Sequence, residues 1–175
     1  MLQKVLNQRI YCSRAIFRRL LISSFLLVII LGNLFVLPTV QAASPQQITY
    51  KMSQLKNSQK RWIEINLTAQ KLTAWVGGNQ VSSVIVSTGK PSTPTYPGIF
   101  SIQSKHRVER MVGSDYDVPN VPYAMYYHRG YAIHGAYWHN QFGRPLSHGC
   151  TNVSMVYAKW LFEWSSVGTS VIIHN

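Results

Sequence analysis

The residues best suited to covalent chemistry lie together in the last third of the chain. Ser147-His148-Gly149-Cys150 occupies an irregular, glycine-containing segment, and His134 ends a predicted strand shortly before it. Cysteine attacks as a thiolate, which a neighbouring imidazole generates by accepting the proton. Gly149 leaves the backbone amides beside the sulfur unobstructed, so they can donate to a developing oxyanion. The pattern predicts acyl transfer with Cys150 as nucleophile and His134 as general base.

Two other interpretations of these residues stay open at this point. A cysteine in a β domain can be an inert core residue, and the histidines can be structural. Four residues of zinc-binding type are also present, namely His134, His139, His148 and Cys150. Their spacing matches none of the usual zinc patterns, and the chain has no Cys-x-x-Cys pair. We therefore expect no metal and no other cofactor.

The N-terminus has the layout of a targeting segment. Basic residues precede an apolar run from Leu20 to Leu37, and small residues follow up to Ala43. Residues 1–43 are thus predicted to be a signal peptide cleaved after Ala42 or an uncleaved membrane anchor. Either way, the basic flank keeps the later residues outside the cytoplasm, in the periplasm or at the cell-wall face. Cleavage would remove Cys12, which leaves Cys150 with no disulfide partner in an oxidising compartment and favours a functional thiol.

The charge of the exported part limits the class of partner. The whole chain carries a formal net charge of +12 from 17 basic and 5 acidic residues. Five of the basic residues precede the apolar run, so 12 basic and 5 acidic residues remain, a net charge of +7. A basic domain favours polyanions, including an acidic wall polymer. The basic residues are dispersed and no nucleic-acid-binding signature accompanies them, so we expect no nucleic-acid partner.

The remaining sequence predicts a mostly β domain. Residues 44–61 are polar and indicate a spacer, and residues 103–120 have no clear period and indicate a surface loop. Short β-branched and aromatic segments separated by turn residues predict antiparallel strands; they cover 62–67, 72–76, 81–86, 99–102, 123–128, 131–134 and 171–173. Ser154 is a predicted N-cap for one helix, from about Met155 to Trp164, next to the active-site loop.

The motif resembles the signature of the L,D-transpeptidase catalytic domain, the YkuD family. That signature is a His, a glycine-rich stretch, then Ser/Thr-His-Gly-Cys, a variable residue and Asn or Arg. Here it reads His134-Gly135, followed after eleven residues by Ser147-His148-Gly149-Cys150-Thr151-Asn152. Weaker similarities occur in the same order as in the family, at residues 87–90, 95–100, 121–125 and 168–171. The resemblance assigns residues 62–175 to this domain and implies an antiparallel, β-sandwich-like fold.

The resemblance also implies catalytic roles. Cys150 would attack a peptidoglycan stem tetrapeptide at the carbonyl between its third residue and D-Ala, with His134 as the base. The Gly149 and Cys150 amides would bind the oxyanion, and Ser147 and His148 would line the site. The backbone carbonyl of Gly130 would orient His134, which accounts for the absence of a nearby carboxylate.

Three further residues, Tyr123, Gly135 and Asn152, are expected at the substrate. An amine acceptor would then release the acyl group, which makes the protein a cross-linking transpeptidase. Two alternatives remain: water as the acceptor, giving a carboxypeptidase or endopeptidase, and a non-catalytic wall-binding or metal-binding module. The expected partners are stem peptides and the wall polymer, and the membrane if the N-terminal segment is uncleaved.

Overall fold

The computed structural model describes residues 43–175. The targeting prediction therefore falls on residues that lie, except for Ala43, outside the described range. Among residues 43–175, neither helix is both long and apolar enough to cross a membrane.

Two helices and nine strands are present in the described part of the chain. The helices are α1 (Pro45–Lys56) and α2 (Met155–Trp164). The strands are β1 (Arg61–Asn66), β2 (Lys71–Val76), β3 (Asn79–Ile85), β4 (Gly98–Ser101), β5 (Ser104–Val112), β6 (Asp117–His128), β7 (Tyr131–Gly135), β8 (Thr151–Val153) and β9 (Ser170–His174).

The strands form two sheets, in the orders β3-β2-β1-β9-β4 and β5-β6-β7-β8. Neighbours are antiparallel except for the pairs β1–β9 and β7–β8, which are parallel. The mostly β, antiparallel, sandwich-like prediction is confirmed. One core joins both sheets and α2. Its buried members include Ile63, Leu72, Met125, Ile133, Leu161 and Val171.

The structure corrects the spacer prediction for residues 44–61. Ser44 and Gln47 form a reciprocal capping box at the start of α1, with Pro45 at the first helical position. Ile48 and Leu55 lie two turns apart on one face of α1 and are buried. They pack against Trp62 and Ile172 on the five-stranded sheet, so two apolar residues in a polar segment suffice to dock the helix.

The loop prediction for residues 103–120 is also wrong. These residues belong mostly to β5 and the first part of β6, which form a long antiparallel hairpin. Both faces of β5 are at least partly exposed, so charged and apolar residues occur on either side and the period-2 pattern is lost. The hairpin contributes side chains to the site.

The second sheet and α2 position the reactive residues. Parallel pairing of β7 with β8 sets His134 opposite Asn152, and Cys150 immediately precedes β8. Ser154 accepts a hydrogen bond from the Tyr157 amide at the start of α2, which confirms the predicted N-cap. The chain therefore passes from the nucleophile through a short buried strand directly into a capped helix.

Candidate active site

Cys150 and His134 line one pocket of about 150 Å³. Ser147, His148 and Asn152 also belong to its wall. The structure thus brings together five of the residues that the sequence motif singled out.

The Cys150 thiol is partly exposed and points to a backbone carbonyl. Its Sγ lies 3.7 Å from Gly130 O. Burial raises the pKa of Cys150 to about 11, although a backbone hydrogen bond from Ala132 to the sulfur opposes this. The thiol is therefore protonated at neutral pH and needs a base when it attacks.

The His134 imidazole is suited to be that base. The residue is 3% exposed, and its Nδ1 donates a hydrogen bond to Gly135 O at 3.0 Å. Burial lowers the pKa of His134 to about 4. The ring is therefore neutral at pH 7, and because Nδ1 holds the proton, Nε2 has a free lone pair.

The predicted role of Gly130 is corrected by these contacts. The carbonyl that orients His134 is that of Gly135, the next residue in β7, whereas the Gly130 carbonyl faces the thiol. No hydrogen bond joins Cys150 to His134 within the described residues. Catalytic hydrogen bonds are often long before substrate binds, so this geometry is compatible with proton transfer in the complex.

The turn before Cys150 depends on a glycine and a serine. Gly149 has a φ of 116°, and a Cβ there would lie 2.6 Å from Tyr131 Cε1. The Gly149 amide donates to Ser147 Oγ at 3.0 Å, and the Ser147 hydroxyl donates to Cys150 O. Since the Gly149 amide is occupied, the Cys150 amide is the one that remains for an oxyanion, with no acceptor among residues 43–175.

A second segment, residues 88–95, supports the same turn. Ser147 N donates to Thr88 O at 3.0 Å, and Lys90 N donates to Ser147 O at 3.0 Å. Thr95 is buried; its Oγ1 accepts from Gly89 N and donates to Gly149 O at 2.6 Å. Two sequence-distant segments are thereby locked together around the nucleophile.

His148 stands at the mouth of the pocket. Its Nε2 lies 3.1 Å from Asp115 Oδ2 and 3.1 Å from Lys90 Nζ, and its ring lies 4.7 Å from that of Tyr116. Asp115 and Tyr116 belong to the tip of the β5–β6 hairpin. His148 therefore connects the catalytic loop to this hairpin as well as lining the site.

The three predicted substrate contacts have different outcomes. Asn152 is 3% exposed and lines the pocket. Tyr123 does not line it; its ring packs against Phe162 of α2 at 5.5 Å. Gly135 orients His134 instead, and a Cβ at that position would lie 2.9 Å from Pro122 Cγ, so close packing against the neighbouring strand explains the glycine.

Sequence reasoning missed the apolar walls of the pocket. One wall comes from the β5–β6 hairpin and the other from the segment between β7 and β8; the missed residues are Met111, Tyr116, Val118, Val121, Trp138 and Leu146. Trp138 and Leu146 are 42% and 37% exposed. The signal in the sequence was the presence of large apolar residues in the irregular segment between His134 and Cys150.

The zinc alternative finds no geometric support. Within residues 43–175 there is no group of three or more His, Cys, Asp or Glu side chains arranged to hold a metal ion. His139 is not among the residues that line the pocket, and its Nε2 contacts the Asn152 side chain, while His148 contacts Asp115.

Comparison with known proteins supports one family. Residues 60–173 match the family described as the L,D-transpeptidase catalytic domain. L,D-transpeptidase 2 of Mycobacterium tuberculosis is 34% identical over 116 residues, which are 59% of this chain and 28% of that protein. The chain thus spans less than a third of this relative.

Solved structures agree with this similarity. The catalytic domain of the Enterococcus faecium L,D-transpeptidase matches with a TM-score of 0.61 and 29% identity, covering 66% of this chain and 98% of that one. An L,D-transpeptidase in complex with imipenem matches with a TM-score of 0.62 and 28% identity, covering 65% of this chain and 58% of that one.

Proposed function

The chain belongs to the L,D-transpeptidase catalytic domain family, and on that premise we propose that it is a peptidoglycan L,D-transpeptidase. It forms a thioester on Cys150 from a stem tetrapeptide and transfers the acyl group to an amine. The observation that carries this proposal is the shared pocket of Cys150 and His134, in which a protonated thiol faces the same cavity as a neutral imidazole with a free Nε2.

The charge states define the order of proton movements. Since neither group is ionised at rest, the thiol proton passes to His134 Nε2 as the sulfur attacks, and no thiolate–imidazolium pair needs to exist beforehand. Sγ forms a bond to the carbonyl carbon, and the tetrahedral oxyanion accepts a hydrogen bond from the Cys150 amide. When the C–N bond breaks, His134 returns the proton to the departing amine of D-Ala.

The second half of the reaction reverses these steps with a new amine. His134 Nε2 removes a proton from the acceptor amine as its nitrogen attacks the thioester, and the sulfur leaves as a thiol once it receives that proton. The apolar walls from Met111, Val118 and Trp138 limit the water that reaches the thioester. This favours transfer to a bound amine over hydrolysis.

The test is to incubate the full-length protein in detergent with a disaccharide-tetrapeptide and to analyse the products and the protein by mass spectrometry. We expect cross-linked dimers, free D-Ala and a transient acyl adduct on Cys150. Shortened monomers without dimers would favour water as the acceptor. If neither product nor adduct forms, or if product persists in Cys150→Ala, the proposal fails.

We also propose that the domain acts outside the cytoplasm. The basic, apolar and small-residue regions within residues 1–43 support this, and so does the location of a peptidoglycan substrate. Fractionation of cells that produce a C-terminally tagged chain tests the proposal, with a variant lacking residues 2–42 as the control. Activity and tag in the envelope fraction are expected; a full-length chain found in the cytosol contradicts export.

A further inference from the structure

The Asn152 side chain has one polar atom without a hydrogen-bond partner in the described part of the protein. The side chain is buried in the pocket wall, and one terminal atom of its amide has no hydrogen-bond partner within residues 43–175. Buried amide atoms are ordinarily paired, so an unpaired one on a residue that lines a pocket is a candidate for a ligand contact. Whether it is a donor or an acceptor depends on the other end of the amide.

The other end of the amide contacts His139, which is not among the residues that line the pocket. His139 Nε2 lies 3.0 Å from the terminal nitrogen of the Asn152 amide. On the opposite side of the ring, the Gln141 backbone N–H donates to His139 Nδ1 at 3.3 Å. Burial lowers the pKa of His139, so the ring is neutral and carries one proton at pH 7.

These two contacts select one arrangement of protons. Because Nδ1 accepts from Gln141, the single ring proton is on Nε2, which is then a donor. An Nε2–H and an amide NH₂ cannot hydrogen-bond to each other. The nitrogen and oxygen of an amide have the same shape and are assigned from the network. The network therefore assigns the Asn152 oxygen to His139, and this satisfies both contacts of the ring.

The atom without a partner is then the NH₂ group, a hydrogen-bond donor on a residue that lines the pocket. The Asn152 backbone cannot move to change this, since its N–H donates to Ser87 O at 2.8 Å and its carbonyl accepts from Ser87 N at 3.0 Å. The Gln141 position is also held, because its carbonyl accepts from Ser87 Oγ at 3.2 Å. Rotation of the amide about its last bond is the freedom that remains.

We propose that His139 is a positioning residue for acyl transfer: its Nε2–H holds the Asn152 amide oxygen, so that the amide NH₂ faces the substrate pocket and donates to an oxygen of the acyl donor. This rests on the proposed function for its substrate. In the reverse orientation the amide oxygen would face the electron-rich oxygen of the substrate, and the interaction would be repulsive.

Two variants of nearly identical shape separate this role from a structural one. His139→Gln can still present an N–H to the Asn152 oxygen, whereas His139→Glu presents carboxylate oxygens and turns the amide around. Removing a preorganised donor from a developing oxyanion costs about 10²–10³-fold in rate. We therefore expect kcat/KM for the tetrapeptide within about threefold of wild type for Gln and at least tenfold lower for Glu.

A double-mutant cycle removes the effect of the added charge. If His139 acts through Asn152, the penalty of His139→Glu relative to His139→Gln shrinks to less than about twofold in an Asn152→Ala background. An undiminished penalty in that background, or equal activities for the Gln and Glu variants, overturns the proposal. Thermal unfolding of each variant confirms that it is folded before the rates are compared.

The position of the proton on the His139 ring can be measured without any substrate. Long-range ¹H–¹⁵N correlation spectra of the full-length protein in detergent at pH 7 should show His139 with its proton on Nε2. A proton on Nδ1 overturns the proposal even if the enzyme is fully active. If His139 carries its proton on Nε2 but the wild-type protein forms no product, the proposed transpeptidase function fails. The assignment of the His139 proton still holds in that case.

Discussion

Acidification should destabilise the protein specifically through His134. The folded state holds the pKa of this imidazole at about 4, against an ordinary value of 6.5. Between these values the unfolded chain binds a proton that the folded protein excludes. The free energy of unfolding therefore rises with pH across this window. The part of it that is linked to His134 is complete above about pH 6.5 and is lost as the pH falls toward 4.

The size of the effect follows from the shift. One pKa unit corresponds to about 1.36 kcal/mol, so a shift from 6.5 to about 4 lowers the free energy of unfolding by about 3 kcal/mol as the pH falls from neutral to about 4. This is a large share of the 5–15 kcal/mol that stabilises a typical domain. A single buried histidine should thus account for much of the acid sensitivity of the protein.

Urea unfolding between pH 4 and 7.5 measures this contribution. His134→Gln does not titrate, so its free energy of unfolding should fall less than that of wild type, by about 3 kcal/mol over the range. Leu55→Ala lowers stability without removing a titratable group, so it is the control and should keep the wild-type slope. Equal slopes for wild type and His134→Gln would refute the argument that the base is buried and neutral.

The rate should depend on pH for the same reason. A base that must be neutral predicts that kcat/KM rises with pH and levels off above about pH 4, well below the range of an ordinary histidine. A rise centred near 6.5, in conditions where chemistry limits the rate, would contradict the resting charge states assigned to the pair.

Three further perturbations test the site and the fold. Under the proposed function, the acyl adduct from the tetrapeptide should add its mass to the wild-type protein and not to Cys150→Ala; an adduct on the variant would contradict the nucleophile assignment. Thr95→Val leaves the Gly89 amide and the Gly149 carbonyl unpaired, which should lower the free energy of unfolding by about 1–3 kcal/mol and reduce the rate of acylation by the tetrapeptide. Thr68→Val makes the same chemical change at an exposed position between β1 and β2, and it should leave both urea titration and acylation rate unchanged. Leu55→Ala removes a buried contact of α1, so the free energy of unfolding measured by urea titration should fall by about 2–5 kcal/mol, while kcat/KM stays unchanged. An unchanged urea midpoint would mean that α1 does not stabilise the domain.

Local patterns were sufficient for the chemistry and for much of the secondary structure. Ser147-His148-Gly149-Cys150 with His134 predicted the nucleophile and its base, and both line the pocket. Helix α2 begins and ends at the predicted residues because the Ser154 cap and the apolar face are local signals. Strands β1 and β2 were predicted from short apolar segments next to turn residues, which are also local signals.

Contacts between distant segments were decided by the tertiary structure. The β5–β6 hairpin has no buried face over most of β5, so its sequence lacks a period, yet it builds one wall of the pocket. Helix α1 docks through two apolar residues, Ile48 and Leu55. Because the rest of the segment is polar, the sequence predicted a spacer there. Tyr123 lies near the motif in the fold but turns toward α2, a direction that sequence spacing does not determine.

The orientation of the base shows the difference most clearly. No Asp or Glu lies near His134 in the sequence, which predicted that a backbone carbonyl orients it. Which carbonyl does so depends on the rotamer that the buried ring adopts between β8 and the segment after β7, and packing selects Gly135 instead of Gly130. Residue types and their spacing determine which reaction is possible, whereas side-chain directions depend on packing between segments far apart in the chain.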